Sequence, residues 1–558
     1  MRDRVVHQVR VGQLEQSDGY WFTVAAIGMA SIMLPFSVTG AAVALPQLSS
    51  SLHGSVADAQ WTLNTFNITF AALPLAAGTL ADRVGRRRIL LISIVLVGVA
   101  SALVAVSPSM VLVNLARTVQ GCGAAGVLAS GAAILAHATS GRRRQIAFGI
   151  LGTSFGTGLA IGPMVAGALT QTWGWRSVFV LVAALSVPAW VCTTRTPESS
   201  NADHPGLDWR GLLTFTSSLA VLSLAFVHAG TRGWTSSVAM AQFGIAGALL
   251  AWFVWLELRQ GPRAMFDVRL FAQPTFVAVV CQPFTVTLGF VILLVYLPAY
   301  LQGAGGRSIT ASGLLLLPMT APVLILPLIA AFIAARTSLR AVLTAASLLI
   351  AIGATLLTTL SDQSSWLLLA VPLLPFGIGV GLAFGVMDNA AVSTVAVANS
   401  GAAAGIFNTM RITGESIAVS AAGALLTTLT VQHLSADGID ASRNAGQAVQ
   451  GHIDPAHRAA LIDGVTHAFH TVGLCLAVLS TIGAVLTYIA LSPSRFADCH
   501  ADPTARRRTD VPEGRMRGPF PTPSRWKSVW RAGFGTSKDD ENEEFGWFIR
   551  SIQRSARQ

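Results

Sequence analysis

Fourteen long apolar blocks, joined mostly by short polar turns, limit what this chain can fold into. They run roughly over 21–45, 62–81, 89–107, 110–136, 145–169, 177–194, 211–230, 237–257, 275–301, 311–335, 339–360, 366–389, 401–430 and 467–491, and an apolar run of about 18 residues is long enough to cross a bilayer. Inside lipid, backbone N–H and C=O groups must be satisfied within the segment, so runs of this length form helices. Only 11% of the residues are charged, against about 25% in soluble domains, too few to cover a water-facing surface of this size. The expected fold class is all-α and integral to a membrane, with fourteen transmembrane helices. The first block is long enough to span and follows a polar segment, so it is expected to stay as a helix rather than be cleaved.

The net charge is +11, almost all from arginine. A basic balance can mean nucleic acid, but these arginines sit in loops between apolar blocks, the distribution of a chain facing an anionic cytoplasmic leaflet; no nucleic-acid partner is expected. With the N-terminus inside, about 17 basic residues before residue 492 fall on the inner side and about 5 on the outer, which places both termini in the cytoplasm. The near-absence of lysine, with Lys527 and Lys538 alone, fits a GC-rich bacterium and so a bacterial plasma membrane. Cys122, Cys192, Cys281, Cys475 and Cys499 have neither metal-ligand nor CxxC spacing, and read as small packing residues. No Walker loop, HExxH or Ser/His/Asp arrangement is present, so no enzyme, metal or cofactor is expected.

The loop 78–90, GTLADRVGRRRIL, carries the most information. Gly78 lets the helix end approach a neighbour, Asp82 is an acid among cations, and Gly85 permits a turn with positive φ. Arg83, Arg86, Arg87 and Arg88 hold the loop on the inner side and can pair with carboxylates or helix C-termini. A charged latch of this kind can be made in one conformation and broken in another; the bland alternative is a topogenic basic loop. Two further segments are NLARTVQGCGAAG (114–126), with a cation inside an apolar helix, and GTSFGTGLAIGPMVAGAL (152–169).

These segments resemble the signature motifs of the major facilitator superfamily, over most of residues 20–491. The first matches the family's loop between helices 2 and 3. The second matches the helix-4 motif, with Arg117, Gln120, Gly121 and Gly123 in register. The third, centred on Gly158, Gly162, Pro163 and Gly167, is similar to the helix-5 motif of the superfamily's exporters. Fourteen spans, together with LDWRGLL (207–213), YLPAYLQGAGGRS (296–308), GLLLLPM (313–319) and SGAAAGIFNTMRITG (400–414), resemble the 14-helix drug:proton antiporter group. The resemblance implies a multidrug-efflux type of protein with two six-helix halves, 21–194 and 275–491, around two inserted helices within 195–274. The second half contains an external loop (431–466) expected as a small hairpin or strap, and outside the halves lie a cytoplasmic N-terminus (1–20) and a basic cytoplasmic tail (492–558). The tail mixes cations with aromatics and reads either as disorder or as a segment contacting anionic lipid or another protein.

The resemblance further implies that Gly78, Asp82, Arg83, Gly85, Arg86 and Arg87 form a conformational switch, and that Arg117 serves proton coupling, unless it is a structural arginine that snorkels to one face. Pro163 is expected to bend its helix, and the bend is associated in the exporters with sealing against leaks. One departure is informative: where the group carries an Asp in helix 1, this chain has Ser37, which cannot carry a proton, and Ala42 replaces the usual Asn. Two acids elsewhere are candidates to compensate. Asp388 falls near the cytoplasmic end of the twelfth span, where it is either wet or functional. Glu415 lies near mid-bilayer in the thirteenth, with Arg411 and Asn408 on the same helical face. An ionisable group at that depth is a functional hypothesis by default, and the roles open to Glu415 are proton carriage, a structural pair with Arg411, or substrate contact. Candidate cavity residues are Ser37, Asn64, Asn67, Gln282, Tyr296, Tyr300 and Asn408. The expected activity is proton-coupled export of small hydrophobic or amphipathic molecules. The alternatives are a dedicated exporter of one natural product, lipid or siderophore, and a non-transporting scaffold acting through its tail.

Overall fold

A computed structural model of the protein describes residues 19–54, 56–200, 208–232, 234–260, 268–361, 365–395, 400–436, 442–451 and 453–492. The tail, with its cation–aromatic segments, and most of the N-terminal segment lie outside the described residues. Among the described residues the chain is helical, with no strand. The first group of helices is α1 (Gly19–Ser51), α2 (Val56–Ala72), α3 (Pro74–Val84), α4 (Arg86–Val106), α5 (Met110–Ala138), α6 (Gly141–Trp173) and α7 (Arg176–Thr194). Then come α8 (Trp209–Arg232) and α9 (Ser237–Gln260). The last group is α10 (Pro274–Val280), α11 (Gln282–Gly303), α12 (Ile309–Leu315), α13 (Leu317–Arg336), α14 (Leu339–Leu356), α15 (Trp366–Phe384), α16 (Met387–Ser393), α17 (Ser400–Ala436), α18 (Ser442–Val449) and α19 (Arg458–Ala490).

Twelve helices or joined helix pairs among the described residues are long and apolar enough to cross a membrane. The second predicted span is divided into α2 and α3, and the thirteenth corresponds to α17, whose interior holds Asn408, Arg411 and Glu415. Several breaks coincide with proline. Pro74, Pro283 and Pro318 each stand in the first turn of a new helix, where the missing N–H costs nothing and the ring would clash with a continuing helix behind it. Pro163, by contrast, sits inside an unbroken α6. The polar segment 431–466 is more helical than a strap: α17 runs on to Ala436, α18 occupies its middle and α19 begins at Arg458.

Helices α1–α7 pack mainly among themselves, through the pairs α4–α5, α1–α6, α4–α7 and α2–α5. Helices α11–α19 do the same through α14–α15, α14–α19, α13–α15 and α17–α19. The two groups meet where α6 lies on α13 and where α17 lies on α3 and α5. Burial follows this plan: the most apolar stretch of α5 is 89% enclosed, and that of α9 only 17%. Outward faces carry exposed Ile92, Val99, Trp252, Ile329 and Ile482, an apolar exterior suited to lipid rather than water.

Candidate functional site

At the end of α3 the chain turns through Gly85, whose φ of 123° is a conformation that side chains disfavour, and α4 begins at once. Asp82 and Arg86 are one helical turn apart and both buried, at 0% and 1% exposed. The Arg86 Nε donates to Asp82 Oδ1 at 2.8 Å. The other oxygen, Oδ2, accepts from the backbone N–H of Ala402 at 3.2 Å, in the first turn of α17. A carboxylate here meets the positive end of the helix macrodipole as well as an otherwise orphan donor. The approach is possible because both helices present glycine. A Cβ on Gly78 would overlap the Gly401 carbonyl, and one on Gly401 would lie 2.5 Å from the Asp82 carboxylate. Arg83 and Arg87 are half-buried beside this latch, Arg87 donating from Nη1 to the Thr196 carbonyl at 3.3 Å, and Arg88 is exposed.

Glu198, not singled out from sequence, completes the turn. Its Oε1 accepts from the Arg87 N–H at 3.1 Å, its Oε2 lies 3.7 Å from Arg88 Nε, and the Ser199 carbonyl accepts from Arg86 N at 3.0 Å. The segment after α7 thus caps α4. A proline–acid pair in a linker carries no periodicity, so only the tertiary contact identifies it.

Arg117 is fully buried in α5. Its Nε donates to the Thr62 carbonyl (3.0 Å), and its Nη1 to the Ser37 carbonyl (3.1 Å) and Gln120 Oε1 (2.6 Å). The Phe66 ring lies 4.3 Å from the guanidinium carbon. Gln120 reaches on to Ser101 and Ser37. Among the described residues the hydrogen-bond partners of this cation are all neutral, and Ser37 occupies the place beside it where the resemblance would put an acid. The charge is therefore held by dipoles, and Nη2 is enclosed without a hydrogen bond.

The acids lie instead around α17. Asp388, on α16, is 5% exposed and 3.4 Å from Arg411 Nη1, so of the two readings open for it the wet one is set aside; Gly385 and Val386 separate α15 from α16. Arg411 does not hydrogen-bond to Glu415, although the two share a helical face; its ion pair among the described residues is with Asp388. Glu415 Oε1 is enclosed and without a hydrogen-bond partner, as are Arg411 Nε and Nη2 and Asn408 Oδ1. Arg411 also stacks on Phe155 of α6, at 4.3 Å. Glu257, at the end of α9, is a further buried acid that sequence reasoning passed over. It approaches the Asp208 carboxylate around Gly211, and Asp208 caps α8 through the Gly211 N–H at 2.9 Å.

The α6 glycines divide by face. Gly158 lies against Pro35 and Ile32, Gly162 against Thr39, and Gly167 near Val43, all on α1. Gly149, Gly152 and Gly156 instead meet α13 and α15, through Ala331, the Phe384 carbonyl and Val323. Of the candidate cavity residues, Asn64 and Asn67 are half-buried on α2. Gln282 is engaged within one bundle, donating to Ser347 Oγ and accepting from Thr487 Oγ1, both at 2.9 Å. Tyr300 is buried against Thr466 and Phe469. Tyr296 lies against Gly423, and Asn408 donates to the Ala404 carbonyl.

An all-helical membrane fold carrying a charged latch between two bundles defines a class, and the comparisons agree. The sequence profile of the Major Facilitator Superfamily matches residues 25–419, and the chain belongs to that superfamily. The multidrug resistance protein Stp of Mycobacterium tuberculosis (strain ATCC 25618 / H37Rv) is 29% identical over 411 residues, covering 72% of this chain and 75% of Stp. The methylenomycin A resistance protein of Streptomyces coelicolor is 27% identical, covering 74% of this chain and 87% of its own length. Among solved structures, the proton:xylose symporter XylE is similar in fold, with a TM-score of 0.54 at 14% identity, covering 83% of this chain and 94% of that one.

Proposed function

We propose that this protein is a proton-coupled exporter of small hydrophobic or amphipathic molecules, working by alternating access in a bacterial plasma membrane. Fourteen crossings place both termini in the cytoplasm, with the Gly85 turn on that side. Two bundles, α1–α7 and α10–α19, exchange between a state latched by Asp82 on the N-terminus of α17 and a state in which that contact is parted. Relatives named for multidrug resistance support the substrate class. Substrate binds between the bundles, where Asn64 and Asn67 supply polar groups in an otherwise apolar wall.

The observation that carries proton coupling is the distribution of buried charge. Arg117 is surrounded by neutral groups, whereas Asp388, Arg411 and Glu415 cluster on α16 and α17. Asp82 is held by Arg86 and the α17 N-terminus and Glu257 lies on α9, outside both bundles, so the proton-carrying role falls to the carboxylates of the C-terminal bundle. Replacing Glu415 with Gln tests this in everted vesicles: dye efflux driven by an imposed pH gradient is lost, while dye exchange without a gradient persists. Undiminished gradient-driven efflux would remove Glu415 from the proton-coupling machinery. A second reading, export of one dedicated natural product, is favoured by the methylenomycin A resistance relative. Failure to move any of several dyes would select it.

A further inference from the structure

Arg411 touches both bundles at once. Its guanidinium pairs with Asp388 of α16 at 3.4 Å, the long end of a hydrogen bond. Its carbon lies 4.3 Å from the centroid of Phe155, on α6 of the other bundle. Phe155 in turn stands edge-on to Phe384 of α15, at 6.1 Å, in the seam where Gly152 and Gly156 admit the Phe384 and Val323 backbones. The arginine is 2% exposed, and two of its nitrogens have no hydrogen-bond partner. One turn further along the same face is Glu415, whose enclosed Oε1 also has none. Buried donors and acceptors left unpaired at adjacent positions are costly, and here each could satisfy the other after a side-chain rotation.

We infer that Arg411 is a two-position switch between Asp388 and Glu415, and that Phe155 is a positioning residue which ties the Asp388 position to closure of the seam. This rests on the C-terminal-bundle coupling proposed above. With Asp388 ionised, Arg411 stays at Asp388, its face remains available to Phe155, and the Gly85 side stays shut. When Asp388 takes up a proton the pair loses its charge, Arg411 turns to the carboxylate of Glu415, the stack on Phe155 parts, and the Gly85 side opens. Loss of the Asp388 proton reverses each step. The charged groups in play are Asp388 from α16 and Arg411 and Glu415 from α17. The facing contact from α6 is the uncharged Phe155, and Arg411 is the cation acting on both carboxylates.

The test is a distance measurement on the full-length protein in lipid nanodiscs. Spin labels replace Ser140 and Thr337, exposed positions that flank the seam, in a cysteine-free background, and distances are recorded across pH. The expected results point in opposite directions. Asp388→Asn favours long distances at every pH and Glu415→Gln favours short ones, each flattening the pH response. Phe155→Leu raises the long-distance population by about tenfold, the scale of a buried cation–π contact; Phe155→Tyr, which keeps the aromatic face, restores the short population. Combining Phe155→Leu with Asp388→Asn adds nothing to Asp388→Asn alone. The inference is overturned if Phe155→Leu leaves the distances as they were, if Phe155→Tyr fails to restore them, or if the two acid variants shift the same way. The readout needs no substrate, so pH-driven distance changes without efflux of any dye would sink the broad-substrate reading, select the dedicated exporter and leave the switch standing.

Discussion

Arg117 holds its charge against two backbone carbonyls, a Gln side chain and a ring face. A buried cation with only neutral partners is expensive to keep, which makes Ser37 the place to test whether dipoles suffice. Ser37→Asp should raise thermal stability in detergent by on the order of 2 kcal/mol, because it adds a counter-charge where the Ser37 carbonyl already accepts from Nη1. A drop in melting temperature would show that the carbonyls satisfy Arg117 and that an added acid only pays for its own dehydration. Ser37 could be singled out because the family resemblance aligns helix 1 on Ala44–Leu45–Pro46, and its place beside Arg117 follows only from the packing. The partner of Arg411 could not be. The periodicity of a helix relates Arg411 to Glu415, but Asp388 comes from another helix, and no spacing rule connects them.

Among the elements, α6 best separates what pattern shows from what packing shows. Its glycines read as one small-residue run, yet they serve two faces. Gly158 and Gly162 seat α1 within a bundle, while Gly149 and Gly156 seat α13 across the seam. Which bundle a glycine faces depends on helix rotation, and a span with small residues on every side leaves that rotation unmarked in the sequence. Substitution separates the faces. Gly156→Leu places a side chain where a Cβ already lies 2.6 Å from Val323 Cγ1, so it should wedge the seam and reduce efflux by about tenfold, as overpacking costs about 1–3 kcal/mol. Gly167→Ala, whose Cβ would meet Val43 at an ordinary 4.0 Å, should transport like wild type. Equal losses from both would mean that α6 is sensitive to any added volume rather than to the seam. Helix breaks were legible only in part: Pro74, Pro283 and Pro318 each open a new helix after a break, whereas Pro163 lies within a continuous one. Proline marks where a break is tolerated, and packing decides whether it occurs.

For the whole molecule, the alternating access proposed above makes the balance between two shapes turn on how much one buried acid contributes to holding α3 on α17. Asp82 accepts a charged hydrogen bond from Arg86 and a helix-terminal one from Ala402; hydrogen bonds to charged groups contribute about 1.5–3 kcal/mol each. Asp82→Asn keeps the size but removes the charge, stranding Arg86, at 1% exposed, without its counter-ion and weakening the interaction with the α17 dipole. The latched state should then lose on the order of 2 kcal/mol relative to its alternative, roughly a thirtyfold change in their ratio. A cysteine introduced at Ala403, fully buried on α17, reports this in a cysteine-free background. A membrane-impermeant maleimide applied from the Gly85 side should label it slowly with Asp82 present and at least about tenfold faster in Asp82→Asn, because labelling tracks the population of the open form when opening is fast. Labelling from the opposite side should change in the reverse sense, since a shift between two shapes withdraws from one what it gives to the other. Faster labelling from both sides would instead mean local loosening of α17, and the latch would be an aid to folding rather than a switch between states.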